Sequence, residues 1–130
     1  MNRVAACSAV LAGVMLGASL TPAVADAKRC VRTHEIDGWR ASDAKTLYVR
    51  AAQTQYYRLD LGNACPLLTD KGAHIAYKTS GSDLLCGPAD WDLEVTRDAH
   101  GSLPSHCVVK TMTPLSDSEA AALPKGFQGM

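Results

Sequence analysis

The residues of this chain that could do chemistry are four histidines, five cysteines, a short alternation of carboxylates and a cluster of tyrosines with arginines. His34, His74, His100 and His106 contain no i, i+2 or i, i+4 pair that would set two imidazoles on one face of an element. His100 and His106 flank one loop, and a tight turn would bring them together as ligands of a transition metal. Two imidazoles without a third ligand leave zinc under-coordinated, so two polar loop residues beside a hairpin is the plainer reading. Asp90, Asp92 and Glu94 lie at i, i+2 and i+4, which places them on one face of a strand. Calcium could use such oxygens, but the central glycine and terminal glutamate of an EF-hand loop are not in place. A solvated strand face accounts for the alternation. Carboxylates about 7 Å apart along a strand also suit a glycosidase acid and base, and nothing else in the chain supports that chemistry. Neither G-x-S-x-G nor S-x-x-K occurs. No cofactor motif is present, and none is expected to be needed.

The cysteines depend on the fate of the N-terminus. Arg3 supplies a positive start, Val4 to Leu20 is apolar or small without a charge, and Thr21-Pro22 breaks the run. Ala23-Val24-Ala25 and Ala25-Asp26-Ala27 then offer small residues at signal-peptidase spacing. This is the pattern of a cleaved secretory signal over residues 1–25. Cleavage after Ala27 also fits. Cys7 would leave with the signal, so the domain expected over residues 26–130 holds Cys30, Cys65, Cys86 and Cys107. An even number in an oxidising compartment reads as a disulfide framework with three possible connectivities. No two of these are spaced as a C-x₂-C or C-x₄-C metal clasp. Cys65 and Cys86 bracket one strand-containing segment while Cys30 and Cys107 lie at the domain's ends. That placement favours the nested pairs Cys65–Cys86 and Cys30–Cys107.

The elements that must position these groups are short apolar-alternating runs separated by turn residues, the signature of antiparallel β structure. The runs are Val31 to Trp39, Thr46 to Ala51, Gln55 to Leu61, His74 to Thr79, the brief Leu84 to Cys86, Trp91 to Thr96 and Cys107 to Lys110. They predict about six short strands in a small antiparallel barrel or curled sheet. At the C-terminus, Ser116-Asp117-Ser118-Glu119 fits a capping box. A short helix should follow and stop at Pro124, with Lys125 to Met130 fraying.

The second and third runs form the most specific local prediction. Placing Val49 opposite Tyr57 and Leu47 opposite Leu59 keeps the apolar side chains together. That register puts Tyr48 opposite Arg58 and Arg50 opposite Tyr56, with Ala52-Gln53-Thr54 as the connection. Tyr and Arg are favoured at binding hot spots, which makes Tyr48, Arg50, Tyr56 and Arg58 a candidate binding face. The plainer reading is a solvent face where tyrosines pack on arginine stems.

Charge narrows the partners. The chain has thirteen basic and thirteen acidic side chains, and loss of Arg3 with the signal leaves twelve against thirteen. A near-neutral chain has no global field for nucleic acid or anionic membrane, and no membrane span should remain after signal cleavage.

The order of certain residues is also familiar. Cys30, Ile36-Asp37 and Trp39 are followed by the Tyr57-x-Leu59-x-Leu61 strand leading to Cys65 and Leu68. Leu85-Cys86 then precedes an acidic turn, and Cys107 precedes Pro114-Leu115-Ser116. This order resembles a four-cysteine family of small secreted bacterial proteins catalogued as a domain of unknown function. The likeness spans essentially the whole mature chain. Where members carry Gly-Asp after the third cysteine, this chain has Gly87-Pro88-Ala89-Asp90. The resemblance implies a bacterial cell-envelope setting and supplies no substrate, cofactor or catalytic residue. The leading expectation is a periplasmic or secreted, non-enzymatic module that binds a protein or small ligand of the envelope. A small periplasmic enzyme is the alternative, and a metal-binding protein using His100 and His106 the third.

Overall fold

The computed structural model describes residues 30–79, 81–98 and 103–129. The expected signal segment, residues 1–25, lies outside the described residues. Among these, nine strands form: β1 (Val31–Arg32), β2 (Ile36–Asp43), β3 (Thr46–Ala51), β4 (Gln55–Leu61), β5 (His74–Lys78), β6 (Leu84–Leu85), β7 (Asp92–Thr96), β8 (Ser105–Cys107) and β9 (Val109–Pro114). A short helix, α1, covers Asp117–Ala121. The protein is mainly antiparallel β, as the alternation predicts. The strands form three sheets, ordered β2-β3-β4-β9, β5-β7-β8 and β1-β6, and these do not close into a barrel.

Two expected runs are divided, and this raises the strand number above six. A 3₁₀ turn at Thr33–Glu35 separates β1 from β2, so the Val31 to Trp39 run serves two sheets. Val108, 64% exposed, separates β8 from β9 and is where the chain crosses from one sheet to another. The first hairpin turn falls at Ala44-Lys45. Asp43 accepts a hydrogen bond from the Lys45 backbone N–H at 2.7 Å, closing the turn through its side chain. That donor holds the Asp43 carboxyl below its ordinary range.

One core serves all three sheets. Leu47, Val49 and Ala51 of β3 point inward with Tyr57, Leu59 and Leu61 of β4, and all six are buried. Trp39 joins them from β2, Leu85 from β6, and Leu93 and Val95 from β7. Trp91 ties the sheets together: its indole N–H lies 3.4 Å from the sulfur of Met112 on β9, and Tyr77 of β5 meets it edge-on at 5.7 Å.

The disulfides join Cys30 to Cys86 and Cys65 to Cys107, which corrects the nested pairing. The reason is strand register. Because β1 pairs with β6 as Val31↔Leu85 and Arg32↔Leu84, the next antiparallel position sets Cys30 opposite Cys86. Cys65 is brought to Cys107 by the end of β4. There the Gly62 N–H donates to the Val108 carbonyl, and the Asn63 side chain accepts from the Val108 N–H. Proximity in space, set by these ladders, outweighs proximity along the chain.

The capped helix forms as expected. The Glu119 N–H donates to Ser116 Oγ, and the Ser116 N–H donates to Glu119 Oε2 at 2.8 Å. The second bond holds the Glu119 carboxyl below the usual glutamate range.

The connection between β3 and β4 contains two non-glycine residues in the left-handed region, Ala52 at φ 49° and Gln53 at φ 64°. Left-handed backbone costs an L-residue roughly 1–2 kcal/mol, partly offset here by a 2.6 Å bond from the Gln53 N–H to Asp37 Oδ2. Gln53→Gly keeps that bond and relieves the strain. The expected gain is about 0.5–1 kcal/mol after glycine's entropic cost. Thermal unfolding checks it, and an unchanged or lower melting temperature contradicts it.

Candidate functional site

The β3–β4 hairpin adopts the register that its apolar pattern predicts: Leu47↔Leu59, Tyr48↔Arg58, Val49↔Tyr57 and Arg50↔Tyr56. A shift by one residue would expose Leu47 and Val49, so burial selects this pairing. Tyr48, Arg50, Tyr56 and Arg58 therefore share the outer face of the sheet. Tyr48, Arg50 and Tyr56 are half-buried, and Arg58 is exposed.

The two arginines differ in setting. Arg50 Nε donates to Asp37 Oδ1 at 2.5 Å, and Asp37 also holds the Gln53 turn. The hydrogen bond and charge of Asp37 push the Arg50 guanidinium above its ordinary pKa. Arg58 Nε donates to Asp60 Oδ1 at 2.9 Å, and Asp60 Oδ2 accepts from Thr111 on β9. Asp60 likewise raises the pKa of Arg58. Both cations are thus partnered by carboxylates. The face is aromatic and polar and carries little net charge, so an oppositely charged macromolecule gains little from it.

The sequence pattern missed one occupant of this face. The C-terminal segment through Gly129, expected to fray, folds back across β2. Phe127 meets the Tyr56 ring edge-on at 5.5 Å, and the Arg50 guanidinium carbon lies 5.6 Å from the Phe127 ring centroid. Gln128 forms an antiparallel bridge with Trp39. Phe127, the only phenylalanine in the chain, was the available signal. The Arg50–Tyr56 half of the face is consequently covered by Phe127, which among the described residues has no counterpart over Tyr48 and Arg58. A groove of about 280 Å³ runs along the covered half, lined by Arg50 and Tyr56 on one side and by α1 and the tail on the other.

The other sequence candidates separate in space. Asp90 is not part of the acidic ladder: Pro88 opens a 3₁₀ turn, Pro88–Asp90, and β7 begins only at Asp92. Asp90 Oδ2 instead accepts from the Cys86 and Gly87 N–H groups, each at 2.8 Å, which fixes the turn beside the Cys30–Cys86 disulfide. Glu94 faces His106 across the β7–β8 pair, with Oε1 3.6 Å from the imidazole Nε2. Lys78 Nζ donates to the same carboxylate at 2.9 Å and is the main cause of its lowered pKa. His100, the other half of the proposed metal pair, lies outside the described residues. Among the described residues no group of three His, Cys, Asp or Glu side chains is placed to hold a metal ion. His34 lines a surface groove of about 450 Å³ with Thr33, Ala76, Tyr77 and Thr79. The Tyr77 hydroxyl there donates to the Thr33 carbonyl at 2.8 Å, and burial raises its pKa.

Two disulfides accord with an oxidising, extracytoplasmic compartment. No helix among the described residues is long and apolar enough to cross a membrane. No curated protein and no solved structure matches the chain. A family model described as a family of unknown function, DUF6491, matches residues 1–126, and the chain therefore belongs to that family.

Proposed function

We propose that this domain is a non-enzymatic binding module of the bacterial cell envelope, periplasmic or secreted. Its contact surface is the outer face of the β3–β4 hairpin. The observation that carries this reading is the docking of Phe127 on Arg50 and Tyr56. The face already accommodates an aromatic side chain through edge-on and cation–π contacts, which are the interactions of protein hot spots. The adjoining Tyr48 and Arg58 offer the same chemistry with no such occupant among the described residues. Rigid backbone supports the face, since β3 is flanked by β2 and β4. Partner recognition therefore requires little ordering of the sheet itself.

The test is capture from a bacterial envelope extract with immobilised wild type and with the double variant Tyr48→Ser, Arg58→Ala, followed by mass spectrometry. Both side chains lie outside the core, so the melting temperature should change little. A protein held by wild type should bind the variant at least about fivefold more weakly, the ~1 kcal/mol that separates energetically significant interface side chains from neutral ones. Equal capture by both proteins removes the Tyr48–Arg58 half of the outer face as the binding surface.

A further inference from the structure

The strand β2 is an edge of its sheet, and an edge presents unpaired backbone groups to solvent or to another chain. Here the tail takes part of that edge. The Trp39 N–H donates to the Gln128 carbonyl at 2.9 Å, and the Gln128 N–H donates to the Trp39 carbonyl at 2.8 Å. Both backbone groups of Trp39 thus turn away from β3. Ala41 follows two residues later with no irregularity between them, so its N–H and C=O also turn outward. Continuing the antiparallel bridge would set residue 126 opposite Ala41. Gly126 instead adopts φ +106°, and the tail bends away with the Lys125 carbonyl accepting from Arg40 Nη1 at 2.5 Å. The tail uses one bridge where the edge offers two.

The side-chain fit is built around Gly38. A Cβ at that position would come within 3.3 Å of Phe127 Cβ and 3.2 Å of the Gln128 carbonyl oxygen. Its absence opens a notch through which Phe127 crosses β2 to reach Arg50 and Tyr56. Beyond Gly126, a groove of about 370 Å³ continues along Ala41 and Ser42 toward Leu68 and Thr69.

We propose that the β2 edge with its Gly38 notch docks an extended segment of another protein bearing an aromatic side chain. The tail residues Gly126–Gln128 act as the built-in competitor for that segment. This rests on the reading of the outer face as a protein-binding surface and names the chemistry of the partner. Main-chain pairing to a sheet edge supplies affinity, and alternate side chains supply specificity. A partner with a β-branched residue in the place of Gly126 stays extended and pairs with both Trp39 and Ala41. Departure of the tail also frees the Arg40 guanidinium from the Lys125 carbonyl. An acidic residue in place of Lys125 would then meet a cation. The tail is therefore a weaker ligand than the segment it imitates, and it lowers the apparent affinity by the fraction of time it occupies the edge.

The probe is a fluorescent synthetic peptide with the sequence of residues 121–129 carrying Lys125→Glu and Gly126→Thr. Binding is measured to the full chain and to two full-length variants, Gln128→Pro and Phe127→Ala. Gln128→Pro removes the N–H that pairs with Trp39, and Phe127→Ala empties the notch. Thermal melts establish that all three are folded. The peptide should bind both variants about tenfold more tightly than wild type, and replacing the peptide's own aromatic residue by alanine should abolish binding. Equal affinity for all three chains, or binding indifferent to the peptide's aromatic residue, overturns the proposal. Concentration-dependent dimerisation of wild type that Gln128→Pro abolishes also overturns it, because the occupant is then a second copy. If the peptide binds none of the chains while envelope capture still depends on Tyr48 and Arg58, this inference fails and the broader reading stands. If capture ignores Tyr48 and Arg58, the broader reading fails for that half of the face.

Discussion

Replacing Cys65 and Cys107 together by alanine is expected to destabilise the domain by about 4 kcal/mol through chain entropy alone. The bond closes a sequence separation of 42 residues, and opening it releases the unfolded chain from that constraint. The Cys30–Cys86 bond closes 56 residues, which gives almost the same entropic value because the dependence on loop length is logarithmic. The two pairs should nonetheless differ. Cys65 and Cys107 are 0% and 3% exposed and belong to the core, whereas Cys30 is exposed. Loss of the inner pair therefore adds a packing defect that loss of the outer pair does not. A typical domain has a net stability of about 5–15 kcal/mol, so removal of both bonds should leave the chain largely unfolded. Urea denaturation of each double variant measures the difference. Peptide mapping without reduction should recover Cys30 joined to Cys86, and a fragment joining Cys65 to Cys86 would show the pairing to be wrong.

The second large effect is expected at Leu59. It lies on β4 between Leu47 of β3 and Met112 of β9, with 0% exposure. Neighbouring strands on both sides limit how far the site can collapse around a smaller residue. Leu59→Ala should cost about 2–5 kcal/mol, the transfer free energy of the lost methyl groups plus the cavity left behind. Leu103 is the internal control: it is 90% exposed, and its replacement by alanine should fall within about 0.5 kcal/mol. Denaturant midpoints for the two variants test the contrast. Comparable destabilisation by both would place the core elsewhere.

The hairpin carrying the candidate face was legible in the sequence because its determinants are local. Side chains on a strand alternate with a period of two, so the apolar set Leu47, Val49, Tyr57 and Leu59 admits one register that buries them together. Once that register is adopted, Tyr48 must oppose Arg58. The Ser116–Glu119 cap was legible for the same reason, since both bonds close within four residues. The acidic ladder shows the limit of periodicity. Asp92 and Glu94 keep the strand alternation, but Asp90 leaves it when Pro88 opens a turn, and its carboxylate finds two backbone donors instead.

What only the tertiary structure decided are the contacts between segments far apart in sequence. The division into three sheets depends on where the chain crosses at Val108 and turns at Thr33–Glu35, and neither position carries a glycine or proline to mark the break. The disulfide partners follow from the β1–β6 pairing and from the junction of β4 with β9, neither of which spacing along the chain encodes. The tail is the clearest case. Nothing near Phe127 in the sequence specifies a partner, and its placement comes from the space left by Gly38, the Arg50 cation of β3 and the Tyr56 ring of β4. Local chemistry determined which faces exist; long-range geometry determined which of them are already occupied.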